Sequence, residues 1–183
     1  MRWMVPRALV ALACQILWSA DAHAAAWQHV AVGPGETRFV ALAIDPARPD
    51  HLVVASDRAV SESTDGGTSW QERFRVPAQT SIAAVAYAPG TPSTLLAATD
   101  HGVYASFDGG EEWSRVFLGV GEGQAACTHL AVHPSMPSTA LLGTRDGLFA
   151  SRDGGRRWEA VNLPADAREV IHVAFDPTLP EQL

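Results

Sequence analysis

Ser106-Phe107-Asp108-Gly109-Gly110-Glu111-Glu112-Trp113 is the stretch on which the fold turns. Ser63-Thr64-Asp65-Gly66-Gly67-Thr68-Ser69-Trp70 precedes it and Ser151-Arg152-Asp153-Gly154-Gly155-Arg156-Arg157-Trp158 follows it, and all three read S-x-D-G-G-x-x-W. Their aspartates stand 43 and 45 residues apart, a period in the range of four-stranded propeller blades. The same grammar recurs around each copy: an apolar alternation ends at Pro46, Pro89, Pro134 and Pro177, and a second proline stands three residues further on.

Working outward through the middle unit, the alternation from Ile82 to Ala88 predicts a first strand, Thr94 to Thr99 a second, Val103 to Phe107 a third and Trp113 to Leu118 a fourth. Asp-Gly-Gly between the last two is a hairpin signal, because glycine accepts the positive φ a tight turn needs. The aspartate is placed to accept amide hydrogens of its own turn, the serine hydroxyl to add another, and the tryptophan to close over the turn against the neighbouring sheet. Every tryptophan beyond residue 24, Trp27 included, falls at this one phase of the repeat. Such regularity marks a structural ring rather than a sugar-stacking platform.

The motif resembles the Asp-box, or bacterial neuraminidase repeat, of sialidases, sortilin-type receptor domains, xyloglucan-degrading hydrolases and photosystem II assembly-factor propellers. The likeness runs from Trp27 to the C-terminus. It implies an all-β, partial and open propeller of four-stranded antiparallel blades. In that frame Ser63, Asp65, Gly66, Gly67, Trp70, Ser106, Asp108, Gly109, Gly110, Trp113, Ser151, Asp153, Gly154, Gly155 and Trp158 are structural. Trp27-Gln28-His29-Val30 is then a leading outer strand, three full blades follow, and Ile171 to Asp176 opens a fourth. Ring closure takes about four blades at least, so the chain reads as the N-terminal part of a longer propeller. The competing reading is a ring assembled from several chains, and unpaired edge strands leave self-association open.

Ahead of the repeats, Met1 to Arg7 carry two arginines, Ala8 to Trp18 are apolar apart from Gln15, and Ala22-His23-Ala24 offers small residues at a cleavage site. Residues 1–24 therefore read as a cleavable secretory signal and 25–183 as the propeller. The apolar run is too short to span a bilayer, so an exported, periplasmic or extracellular protein without membrane insertion is expected. Cleavage would remove Cys14 and leave Cys127 alone, buried in a strand. The 183 residues hold thirteen arginines, no lysine and twenty acidic residues, for a formal net charge of −7. That balance gives no basic field for nucleic acid and no lysine for Schiff-base chemistry.

Propeller geometry puts the loops from fourth to first strands on one face with the turns between second and third strands. The candidate ligand face is thus Asp57, Arg58, Asp100, His101, Glu122, Arg145, Asp146 and Glu169, with His129 and His172 at equivalent positions at the start of first strands. His133 follows His129 by four residues, roughly 13 Å along a strand, too far to share one metal ion. No metal site and no cofactor are expected. Phe74-Arg75-Val76-Pro77 resembles the substrate-arginine motif of sialidases, but it follows an S-x-D-G-G-x-x-W copy instead of preceding it and aligns with the ordinary strand end Val161-Asn162-Leu163-Pro164. Tyr87 and Tyr104, the only tyrosines, occupy repeated apolar positions. No complete catalytic constellation appears. Two functions remain: a non-catalytic scaffold binding a protein or ligand on its loop face, or the remnant of a glycoside hydrolase of xyloglucanase type, whose two carboxylates need no fixed spacing.

Overall fold

A computed structural model of the chain describes residues 38–176, apart from 46, 89, 91, 92, 120, 165 and 166. The signal segment and the leading strand expected at Trp27 to Val30 lie outside the described residues. Among the described residues, twelve strands fall into three antiparallel meanders. The first is β1 (Phe39–Asp45), β2 (Arg48–Ser56), β3 (Ala59–Ser63) and β4 (Gln71–Arg75). The second is β5 (Ile82–Ala88), β6 (Thr94–Thr99), β7 (Gly102–Ser106) and β8 (Ser114–Phe117). A short helix, α1 (Glu122–Ala125), leads into β9 (Cys127–Val132), β10 (Ala140–Thr144), β11 (Gly147–Ser151) and β12 (Glu159–Val161). The arrangement is a partial, open β-propeller, with β1 packed on β5 and β5 on β9 where the blades converge.

The repeat extends to the irregularities. Each first strand carries a bulge at one phase, skipping Val40, Ala83 and Thr128 in the ladders of β1, β5 and β9. Blades meet through two apolar layers. Val53, Ala55 and Val60 of the first blade face Ile82, Val85, Tyr87 and Leu95 of the second. The opposite side of the second, Ala84, Ala86, Leu96 and Val103, faces Cys127, Leu130, Leu142 and Phe149 of the third. Each layer is bound by an aromatic trio. Phe74 stacks on Trp113 at 4.7 Å between ring centres and lies 5.1 Å from Tyr104. Phe117 stands 4.8 Å from Phe149 and 6.4 Å from Trp158. The tryptophan of one blade therefore clamps the outer strand of the blade before it.

The S-x-D-G-G-x-x-W turns close as their chemistry dictates. In the first, the Ser63 hydroxyl donates to Asp65 Oδ1 at 2.8 Å and accepts the Gly67 amide at 2.8 Å, while the Ser69 amide and hydroxyl donate to the same carboxylate at 2.8 and 2.6 Å. Trp70 Nε1 donates to the Gly67 carbonyl at 3.1 Å. The other two copies repeat the serine, aspartate and tryptophan bonds. These donors hold Asp65 at about 2, the Ser69 hydroxyl contributing most. Asp108 is lowered too, chiefly by the Ser106 hydroxyl. At Asp153 burial opposes ionisation, yet the Arg157 amide and the Ser151 hydroxyl outweigh it and the carboxyl is lowered.

Three expectations need correction. The third strand of the middle blade is Gly102–Ser106 rather than Val103 to Phe107, because Gly102, at φ 111°, already pairs with Thr99. The fourth is Ser114–Phe117, since Trp113 is bent into the turn by its bond to Gly110. Residues 171–176 form no strand: they lie on the third blade but have no ladder partner among the described residues.

Candidate functional site

The two rims of the open propeller differ. On one, an amide of each S-x-D-G-G-x-x-W turn bonds a carbonyl in or just before the second strand: Gly66 to Asp50, Gly109 to Ser93 and Gly154 to Ser138. On the other, loops entering each first strand are stapled to the turns between second and third strands. Ile82 N donates to Asp57 O at 2.8 Å, Asp100 N to Ser81 O at 3.0 Å, Arg145 N to Ala126 O at 3.1 Å and Val170 N to Thr144 O at 2.9 Å. The loop face thus gathers the segments that sequence geometry assigned to it.

A hydroxyl at one repeat phase braces each of those turns. Ser56 accepts the Arg58 and Ala59 amides, Thr99 accepts the His101 amide and donates to Gly102 O, and Thr144 accepts the Asp146 amide and donates to Gly147 O. All three side chains are buried. These positioning residues escaped the sequence reading, although their 43- and 45-residue spacing matches that of the aspartates.

Between the second and third blades this face opens into a cleft of about 620 Å³ lined by Asp100, His101, Leu118, Gly119, Gly121, Glu122, Ala125, Ala126 and Arg145. Four of the predicted residues, Asp100, His101, Glu122 and Arg145, are thereby brought together. Asp100 Oδ1 accepts both the Ser81 amide and His101 Nδ1, each at 2.8 Å. The carboxylate is committed to holding the imidazole, whose other nitrogen remains for a ligand. Gly119, at φ 73°, is required where the α1 turn comes close, since a Cβ there would lie 2.6 Å from Ala125 N. Asp146 lines a separate recess of about 160 Å³ with Gln124, Phe149 and Arg168. Asp57, Arg58 and Glu169 are exposed and line neither.

His129 and His172 meet with their ring centres 4.0 Å apart and their planes tilted by 50°. His129 Nδ1 accepts the Val173 amide at 3.4 Å, which puts its proton on Nε2. Burial and the neighbouring His172 lower its pKa. A metal at Nε2 would force the opposite tautomer against that amide. His133, 2% exposed, instead caps the following turn, its Nδ1 accepting the Ser135 and Met136 amides at 3.2 and 3.0 Å. Asp45, at the same phase two blades earlier, accepts the Ala47 amide and Arg48 Nε. Arg75, of the sialidase-like tetrapeptide, is paired with Glu72 through two bonds of 2.9 and 2.6 Å on an exposed strand.

No protein-family model matches the chain, and no curated protein does. Among solved structures it is similar to an ancestral GH74 enzyme, at 24% identity over 72% of this chain and 19% of that one, with a TM-score of 0.59. It is also similar to YCF48 from Cyanidioschyzon merolae, at 22% identity over 78% of this chain and 45% of that one, TM-score 0.54. A structure of YCF48 bound to D1 peptide matches at 19% identity over 67% of this chain and 40% of that one, TM-score 0.51. At such identities the likeness establishes the β-propeller fold alone. The chain spans about a fifth of the GH74 enzyme and less than half of YCF48.

Proposed function

We propose that this chain is part of an exported, non-catalytic propeller of the Asp-box type whose loop face binds a segment of a protein partner. The supporting observation is the make-up of the loop-face cleft. Apart from the His101 imidazole its lining is charged or small and aliphatic, with no phenylalanine, tyrosine or tryptophan among the described residues. Sugar-binding clefts need flat aromatic platforms as well as carboxylates, and here the described tryptophans at 113 and 158 are consumed by the seams between blades. An extended peptide suits such a lining better, since its backbone can bond exposed loop amides while Arg145, Glu122 and His101 read side chains. Its likeness to a peptide-bound YCF48 supports the same class of ligand.

The experiment is site-specific photo-crosslinking in the exporting host, with the probe at positions 101, 122 and 145 and controls at 64 and 112 on the opposite rim. Discrete protein adducts only from the loop-face positions are expected, alongside no binding or cleavage of xyloglucan oligosaccharides in calorimetry and product assays. Hydrolysis or saturable binding of the oligosaccharide would overturn the scaffold reading in favour of the hydrolase one.

A further inference from the structure

Three of the chain's seven histidines, His129, His133 and His172, gather at the seam between the third blade and residues 167–176. Equivalent seams are built otherwise. At the phase of His129 and His172 the first two blades carry Ala41 and Ala84, and at the phase of His133 they carry Asp45 and Ala88. Between the first and second blades, Arg48 bridges Asp45, Tyr87 and Ser93 at 2.6–3.0 Å, a set that does not change charge around neutrality. The corresponding place on the third blade holds His133 against Phe175, ring centres 4.7 Å apart.

The segment docks on the third blade through backbone bonds and the histidine contact. Val170 N donates to Thr144 O, Thr128 Oγ1 donates to Val170 O, Val173 is buried and its amide donates to His129, and the imidazoles meet. Among the described residues no ladder supports 171–176, and Ile171 is 75% exposed. We infer that the contact between His129 and His172 makes this segment a pH-sensitive flap, docked on the third blade while His129 is neutral and released when it gains a proton.

The electrostatics favour that direction. Strands β6 and β10, packed against β9, contain no ionisable side chain, and β5 brings only Tyr87, bound to Arg48 and Ser93. Helix α1 brings Glu122 at the loop-face cleft. The segment itself carries Arg168, Glu169, His172 and Asp176, but the charge acting on His129 is that of His172. Two imidazolium rings 4.0 Å apart repel, and a protonated Nδ1 could no longer accept the Val173 amide. Because the docked pKa of His129 lies below its ordinary 6.5, release takes up a proton, so docking is complete above that value and is lost as the pH falls through it.

Hydrogen exchange of the full secreted chain, read by mass spectrometry and corrected for intrinsic rates, tests this. Protection of 167–176 should fall between pH 7.5 and 5.5, by up to about tenfold for one linked proton, while β5 to β7 stay protected and report an intact fold. His172→Ala, which restores the residue of the first two blades at an exposed site, should reduce that change to less than about threefold; His172→Gln serves if the alanine variant does not fold. A pH-independent wild-type segment, or a folded His172 variant that keeps the full pH response, overturns the inference.

Discussion

Gly155→Ala tests how closely the turn glycines couple one blade to the last. Gly155 has φ 89°, and a Cβ there would lie 2.7 Å from Leu96 Cδ2 and 3.2 Å from Leu96 Cδ1 in the preceding blade. Leu96 is buried in the layer between those blades, so it cannot swing into solvent. The left-handed backbone costs an L-residue about 1–2 kcal/mol, and forcing a methyl into a packed layer adds about 1–3 kcal/mol. The substitution should therefore destabilise by about 2–5 kcal/mol. Gly109→Ala separates the two contributions: its φ is 83°, but nothing lies within 4 Å of the added Cβ, so only the backbone cost of about 1–2 kcal/mol remains. Gly110, whose Cβ would meet Leu95 Cδ1 at 3.2 Å and Arg73 Cγ at 3.3 Å, should fall between them. Urea unfolding followed by tryptophan fluorescence reads the series. At an m-value of about 2 kcal/mol/M, Gly155→Ala should move the midpoint down by more than about 1 M. Leu96→Ala should cost less in the Gly155→Ala background than alone, because it removes the obstructing methyls. If Gly155→Ala is as mild as Gly109→Ala, the packing argument is wrong.

Other consequences follow from the turns and seams. The Asp65 carboxyl should titrate near 2 in carbon-detected NMR, and Ser69→Ala should move it upward, toward 3.8, by removing the hydroxyl that contributes most. Since the folded value is depressed, the stabilisation from this carboxylate is present above the ordinary value and lost as the pH falls toward 2. A double-mutant cycle of Phe74→Leu and Trp113→Leu should show coupling of about 0.5–1.5 kcal/mol for the stacked pair; zero coupling would mean that the rings contribute by area alone. Cys127 is buried and its thiol is pushed up to about 12 by desolvation. Cys127 should resist a disulfide-exchange reagent in the native chain at pH 8 and react only after unfolding.

The fold was legible because two independent periods coincide. Alternation of two places β5 and β6 at their observed bounds, and the spacing of the aspartates turns those strands into blades. What alternation cannot supply is a partner. Residues 171–176 alternate as β5 does, and Val173 is buried at the phase of Val85, yet a strand exists only where a neighbour completes its ladder. Gly102 was missed at the head of β7 for the opposite reason: glycine disfavours strands, but here a Cβ would strike Phe117 O at 2.0 Å, so the ladder requires its absence. At the site, the repeat phase alone identified the His129 and His172 pair. The meeting of Glu122 with Asp100 and Arg145 depends on a loop of irregular length folding back through Arg145 N to Ala126 O, which no spacing in the sequence announces.

The distribution of satisfied bonds says which rim can do work. On the rim of the S-x-D-G-G-x-x-W turns, each serine, aspartate and tryptophan spends its hydrogen-bonding capacity inside its own turn. Arg73 there is taken by Glu62 and Glu111 at 2.9 Å each. A ligand arriving on that side would have to break bonds it could at best replace. On the loop face, the side chains of Arg58, Glu122 and Arg145 have no bond or ion pair among the described residues. Their turns are nevertheless fixed by the buried hydroxyls of Ser56, Thr99 and Thr144. Uncommitted charge on a rigid base is what recognition requires, since a partner gains each contact without first ordering the backbone that offers it. The repeat stiffens the same positions it leaves chemically variable, and there a change of Asp57-Arg58 to Asp100-His101 to Arg145-Asp146 alters the charge presented without altering the fold.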